Sequence, residues 1–462
     1  MNRRNFLKTT GTLVGAAATS SWLHAGEPAA GLTAASAARV AGANKRLRVA
    51  FIGTGGIATG QAIGAMLPFG IECPCFADTN TAQWGHVKKH WAGAAGFQDY
   101  RKMFDKHMKD IDAVMISTPD HHHYPATLLA MMGGKHVYTQ KPLTHTGWEA
   151  GQLGLAMEKY KVATQMGCQG HANEGNRRLV EWIRSGKVGK IKEIKIWTDR
   201  PDVYWVQGKP RPEGESPVPK DLDWDSWVGP APMRPYAQAE RGVWKSIYTP
   251  GSWRGFRDFG AGALGDMGCH LLDGHFWGLG LKHFTSVELL EGDAVRGKDM
   301  WPSGSVVRLR FPATEWAVEG LTITWYEGGK KPAAPEGYTD ELGSGGSIVI
   351  GEKGTLVTDG DYNERTYLVG DTTRYRPQKW LERSEGHHKE WYLACTGQKA
   401  YDYPRANFAF AAPFTQAILA ATIAQVVGGK LNYDAKTMTF AGNDEATALL
   451  TKTYRAGWDF RM

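Results

Sequence analysis

KRLRVAFIGTGGIATG, residues 45–60, joins an apolar, β-rich run to a glycine turn and then to a helical pattern. Val49-Ala50-Phe51-Ile52 reads as a strand. Gly53-Thr54-Gly55-Gly56-Ile57-Ala58 matches G-x-G-x-x-G/A, the dinucleotide fingerprint. Gly53 permits the tight turn, Gly55 lets the backbone approach a pyrophosphate, and Ala58 lets the following helix pack close to the strand. Gly56 and Ile57 lie in the same turn and complete that part of the binding set. The helix start then offers free N–H groups and a positive dipole end to phosphates. Glycine-rich turns are common, so the context matters. A second strand over 71–77 ends at Asp78, where such units carry the acid that binds a ribose.

Strand and helix patterns alternate from Arg48 to Gln169, with strands expected at 48–53, 71–77, 112–118, 135–139 and 162–167. This alternation implies a doubly wound parallel sheet. A helix is expected over 172–185. From Lys190 the texture changes to strand-like runs at 190–198, 284–291, 303–311, 319–326 and 346–358, a second domain on a mostly antiparallel sheet. The expected fold class is therefore α/β: a Rossmann domain over 45–170, an α+β domain over 171–385, and C-terminal helices over 386–462 that pack back on the core. Between them, 199–262 is irregular and holds nine prolines and five tryptophans, Trp205, Trp224, Trp227, Trp244 and Trp253. A loop of that length is usually functional. Trp faces can stack on sugar rings, and Trp253 is a candidate substrate contact.

The chain has 462 residues, 42% of them hydrophobic, and a net charge of +7. Arg3, Arg4 and Lys8 contribute three of those charges and residues 1–25 hold no acid. The remaining balance is too mild, and too free of basic runs interleaved with aromatics, to argue for nucleic acid. Arg3-Arg4-Asn5-Phe6-Leu7-Lys8 is a twin-arginine pattern before a mildly apolar stretch, so residues 1–25 read as an export signal and 26–44 as a linker. No other apolar run is expected to reach membrane-helix length. The expected location is periplasmic, with no membrane contact beyond export. Five cysteines (Cys73, Cys75, Cys168, Cys269, Cys395) show no metal spacing, and Cys73 and Cys75 share one strand face as core thiols. No metal is expected.

Two constellations carry chemistry. Lys135-His136-Val137-Tyr138-Thr139-Gln140-Lys141-Pro142 is a strand that ends at the sheet's carboxyl edge, where Lys141 can polarise an oxygen beside the cofactor crevice. In Gly262-Ala263-Leu264-Gly265-Asp266-Met267-Gly268-Cys269-His270-Leu271-Leu272-Asp273, Asp266 and His270 share a helix face at i, i+4, and Asp273 extends it. A carboxylate beside an imidazole suits a general base for alcohol oxidation.

The glycine turn, Ser117-Thr118-Pro119-Asp120-His121-His122-His123, Gly134-Lys135-His136-Val137, Lys141-Pro142 and the Asp266-x-x-x-His270 helix together resemble the Gfo/Idh/MocA oxidoreductases, named for glucose–fructose oxidoreductase and inositol dehydrogenase. The resemblance implies a Rossmann domain plus an open-faced α+β domain, with homodimers or homotetramers formed through the open sheet. It implies a catalytic lysine matching Lys141 and an acid–base pair matching Asp266 and His270. It implies cofactor contacts matching Gly53, Gly55, Asp78, Thr118, Pro119 and His121 or His123, with Gln140 beside them. The family's usual Glu-Lys-Pro is Gln140-Lys141-Pro142 here, which removes one charge next to the lysine. Adjacent histidines cannot all face one ion, so His121-His122-His123 reads as one or two cofactor-side residues plus exposed neighbours. His171 and Asn173, past the last strand of the first domain, are candidate crevice and substrate residues with Asp273.

The expected function is an exported, NAD-dependent oxidoreductase acting on a sugar or polyol. Asp78, with no arginine at Thr79-Asn80, favours NAD over NADP because a carboxylate repels a 2′-phosphate. Free NAD is scarce outside the cytoplasm, so the cofactor should stay tightly bound and be recycled within each turnover. A redox-neutral glycosidase, which oxidises, eliminates, hydrates and reduces, is the alternative. Relatives with that chemistry replace the Lys-Pro lysine, which tilts this chain towards plain oxidoreduction. A non-catalytic ligand-binding protein on the same fold is the third reading.

Overall fold

A computed structural model describes residues 46–202, 204–211, 213–238, 247–248 and 251–462. The export signal and linker expected over 1–44, and Trp244, lie outside the described residues. The first sheet has six parallel strands: β1 (Val49–Ile52), β2 (Cys75–Ala77), β3 (Ala95–Phe97), β4 (Ala113–Ile116), β5 (His136–Gln140) and β6 (Thr164–Gly167). Their order is β3-β2-β1-β4-β5-β6. The winding direction reverses between β1 and β4, which opens a crevice at their carboxyl ends. All four residues of β1 and of β4 are buried, which is why these strands read as unbroken apolar runs. β3 was not expected from the sequence. It is three half-buried residues centred on Gly96, too short and too weakly apolar to register. Gly96 is required by packing, since a Cβ there would lie 2.7 Å from the Trp84 ring.

The second sheet has nine strands: β7 (Ile191–Trp197), β8 (Ser286–Glu291), β9 (Val306–Phe311), β10 (Ala317–Tyr326), β11 (Gly346–Gly351), β12 (Thr355–Asp359), β13 (Arg365–Leu368), β14 (Lys430–Asp434) and β15 (Thr439–Phe440). Their order is β13-β12-β11-β7-β10-β9-β8-β14-β15. Only β7 and β10 pair in parallel; the other pairings are antiparallel. The run expected as one strand over 346–358 is a hairpin, β11 and β12. β14 and β15 fall in the stretch read as C-terminal helices and extend this sheet instead.

The helix Phe408–Val427 is the structural link between the two sheets. A Cβ on Gly154 of the helix Gly147–Tyr160 would lie 3.2 Å from Ala412, and one on Gly268 would lie 3.3 Å from Ile418. Phe414 meets Phe276 at 4.9 Å. This corrects the expectation that no further apolar run has membrane-helix length: Phe408–Val427 has twenty residues without a charge, long and apolar enough to cross a membrane. It is instead built into the core, with 83% of its 18-residue apolar window buried. The helix His387–Cys395 sets Trp391, Ala394 and Cys395 against the cluster that contains Phe51 and Phe76.

Gly53 has φ +77° and a Cβ there would sit 2.7 Å from the Ser117 carbonyl oxygen, whereas Gly56, at φ +51°, would place its Cβ in open space. A left-handed non-glycine residue costs about 1–2 kcal/mol. Gly56→Ala should lose about that much, and Gly53→Ala clearly more because a backbone atom cannot yield. Urea unfolding of both variants checks the order, and equal losses would refute it.

Candidate active site

The carboxyl ends of the parallel strands converge on one cleft of about 620 Å³. β1 delivers Gly53, Gly55, Gly56 and Ile57; β4 delivers Ser117, Thr118 and Pro119; β5 delivers Gln140 and Lys141. From the second domain come Asp266 and His270, and from the irregular segment Trp205, Trp253 and Arg254. Ala58 is buried below the turn and outside the lining, as a helix-packing residue should be.

Asp78 closes the turn from the β2 side. Its Oδ2 accepts from the Thr54 backbone N–H at 2.7 Å and its Oδ1 from the Asn80 N–H at 2.9 Å. Burial raises its pKa, and these bonds offset only part of the rise. Gly55 is pressed against Gln83, whose side-chain oxygen would lie 2.7 Å from a Cβ. The cleft carries polar atoms that fit a dinucleotide. Ser117 Oγ, Thr118 Oγ1 and Gln140 Nε2 are buried and have no partner among the described residues. Two free hydroxyls and an amide donor beside a glycine cradle suit a ligand rich in phosphate, ribose and carboxamide groups.

The three histidines are all buried, which corrects the expectation of exposed neighbours. His121 and His123 do not line the cleft. His121 Nε2 lies 3.0 Å from the Trp227 carbonyl, and His123 sits between the carbonyls of Pro142 (2.7 Å) and Thr118 (2.9 Å). His123 thus props the two loops that flank the crevice. His122 is the one that reaches the lining. Its Nε2–H donates to the Trp227 carbonyl at 2.9 Å.

Lys141 forms an ion pair with Asp266. The same Asp266 oxygen takes Arg254 at 3.0 Å, and Arg254 also reaches Asp120 at 3.3 Å. Asp120 in turn accepts from the Ala261 N–H at 3.0 Å, just ahead of the helix Gly262–Leu271. Burial would raise the Asp266 pKa, but Arg254 and Lys141 outweigh it and hold the carboxyl far below the usual range. Arg254 lies 4.3 Å over the Trp253 ring, so Trp253 shapes the wall through the guanidinium. The sequence reading missed Arg254. Its only signal was a cation between aromatics in the irregular segment.

The expected pairing of Asp266 with His270 is corrected. Both lie on one helix and line one cleft, yet no hydrogen bond joins them, because Asp266 is turned to the two cations. His270 Nδ1 faces Cys168 Sγ at 3.6 Å, and its ring packs on Tyr362 at 4.7 Å. Burial, with Lys141 nearby, lowers its pKa to about 3, so the imidazole is neutral. The acid–imidazole pair of this region is His171 with Asp273, at 2.7 Å, and both residues lie behind the cleft. Asn173 is exposed and starts the helix Glu174–Arg184, away from the lining. Gln169, Arg200 and Tyr362 line the cleft and were not expected from the sequence.

Residues 47–168 match the NAD-binding Rossmann fold of the GFO_IDH_MocA oxidoreductase family, and residues 189–299 match that family's C-terminal alpha/beta domain. This chain belongs to the Gfo/Idh/MocA oxidoreductases. A glycosyl hydrolase family 109 protein from Shewanella pealeana is 28% identical over 210 residues, 41% of this chain and 44% of its own length. A levoglucosan dehydrogenase from Pseudarthrobacter phenanthrenivorans is 26% identical over 159 residues, 33% of this chain and 40% of its own. These matches span less than half the length of either relative. The WlbA dehydrogenase from Bordetella pertussis, solved with NADH and UDP-GlcNAcA, superposes with a TM-score of 0.55 at 18% identity, over 84% of this chain and 99% of its own. At that identity the likeness concerns the fold.

Removing Arg254 leaves two buried carboxylates short of a cation. Arg254→Ala should cost about 3–5 kcal/mol, and Arg254→Lys less, in urea unfolding; equal losses would show that charge is not what Arg254 supplies. The buried histidines predict acid lability. Burial holds His122 and His270 at about 3 and His136 and His275 at about 4. The unfolded chain therefore binds protons below pH ~6.5 that the fold refuses. Each such histidine removes roughly 1.4 kcal/mol per pH unit as pH falls. Glu327, raised by burial to about 7, opposes this, as do the raised carboxyls of Asp78, Asp120 and Asp361, but the buried histidines outnumber them. The urea midpoint should therefore drop steeply from pH 7.5 to 5, and a flat profile would contradict the burial.

Proposed function

We propose that this protein is an exported oxidoreductase that moves a hydride between a sugar or polyol hydroxyl and a tightly bound NAD. The observation that carries this reading is a lysine ammonium and a neutral imidazole lining the same cleft as the dinucleotide turn. When bound, the nicotinamide supplies the hydride acceptor and donor. Gly53 to Ile57, Asp78, Ser117, Thr118 and Gln140 would hold the dinucleotide, and Asp78 would favour NAD because a carboxylate opposes a 2′-phosphate. Lys141, held by Asp266, polarises the reacting oxygen. His270 is neutral and accepts the hydroxyl proton. Trp205, Trp253 and Tyr362 give flat apolar faces on which a pyranose can rest.

Export rests on the twin-arginine pattern at Arg3-Arg4, and retention of the cofactor follows from it, since free NAD is scarce outside the cytoplasm. Assembly as a homodimer or homotetramer through the second sheet accompanies this reading. The relative named as a family 109 glycosyl hydrolase favours a second reading, a redox-neutral glycosidase using the same cleft. Retention of Lys141 weighs against it.

Purified full-length protein, denatured and analysed by mass spectrometry, should release NAD; release of NADP, or tighter NADP binding by titration, would overturn the cofactor choice. On any substrate found with a polyol panel, Lys141→Ala should lower kcat by about 10²–10⁴-fold. Aglycone release from nitrophenyl glycosides without net NADH would transfer the case to the glycosidase.

A further inference from the structure

Asp266 is committed to Lys141 and Arg254, so another group must set which nitrogen of His270 carries its proton. A neutral imidazole has one N–H, and the bond made by one nitrogen decides the role of the other. We propose that Cys168 is the positioning residue that fixes the tautomer of His270, with the proton on Nδ1 and Nε2 left open to accept one. The assignment rests on the thiol's own partners. Cys168 is buried outside the cleft lining and has a single proton to give. Its shortest contact is the Cys269 carbonyl oxygen at 2.9 Å, which can only accept. Asp273 Oδ2 is much farther, at 3.9 Å, and already accepts from Asn176 Nδ2 at 3.0 Å, while Oδ1 is taken by His171. With its proton directed to the Cys269 carbonyl, the sulfur can only accept from His270 Nδ1, which faces it at 3.6 Å. The ring is further held by Tyr362, leaving Nε2 as the nitrogen available to the cleft.

Cys168 thus does for His270 what the sequence pattern assigns to Asp266, through a neutral group. A thiol orients the ring without the charge that would raise its proton affinity. The inference deepens the reading of His270 as the proton acceptor and rests on it, yet hydrogen positions can be read without any substrate. Neutron diffraction from deuterium-exchanged crystals of the full chain shows them directly. The expected result is a deuteron on His270 Nδ1 directed at Cys168 Sγ, and none on Nε2. Cys168→Ser, which keeps a donor and an acceptor, should preserve that occupancy. Cys168→Ala should lose the single-site preference. A deuteron on Nε2 in the unmodified protein, or an unchanged tautomer in Cys168→Ala, would overturn the proposal. If Cys168→Ala fails to fold, the unmodified protein and Cys168→Ser decide it. A chain that proves inactive on every sugar would defeat the functional reading and leave this measurement intact.

Discussion

Two buried carboxylates and two partly buried cations hold the cleft together: Asp266 and Asp120 with Lys141 and Arg254. Each comes from a different part of the chain: the end of β5, the helix Gly262–Leu271, the irregular segment, and the turn after β4. Burial penalises the two carboxylates and Arg254, and their mutual attraction, with Lys141 and the Ala261 N–H, offsets that cost. The ion cluster therefore works as a register pin. It brings the dinucleotide half and the acid–base half to one depth, and a shift of either element would leave a charge without its partner. The glycine turn and the second sheet can each form locally, but the cleft exists only where these four groups meet.

The link helix Phe408–Val427 supplies the apolar counterpart of that pin. It contacts Gly154 on one side and Gly268 on the other, so close approach of small residues fixes the distance between the domains. The candidate base thus rides on a helix clamped from two directions, by ions at its N-terminal side and by packing along its length. Such a support holds side-chain geometry to tolerances that a loop could not.

Much of this was legible in the residues. The glycine fingerprint, the buried strand runs and the Lys-Pro edge gave the first sheet and its crevice, because long apolar runs and glycine turns leave strong local signals. β3, β13, β14 and β15 left weak ones, being short. Lys141, Asp266 and His270 do meet in one cleft, but the partnership inside it was not readable. Spacing i, i+4 says that two side chains share a face; it does not say which way a carboxylate turns when two cations approach from elsewhere. Arg254, 134 residues from Asp120 in sequence, could only be found in three dimensions. The triple histidine misled for a related reason: its imidazoles hold backbone carbonyls, and that demand leaves no trace in a motif.

All five cysteines are buried and unpaired. Burial pushes Cys75 up to about 12 and Cys168 well above the ordinary thiol value, so none offers a thiolate at neutral pH. If the chain is exported as proposed, this sets an order of events. Thiol–disulfide exchange threatens only the unfolded polypeptide; once the core has closed, an oxidant finds no exposed thiol to attack. On that proposal, folding would come before the change of redox environment, a sequence that a translocase carrying finished proteins permits and one threading open chains does not.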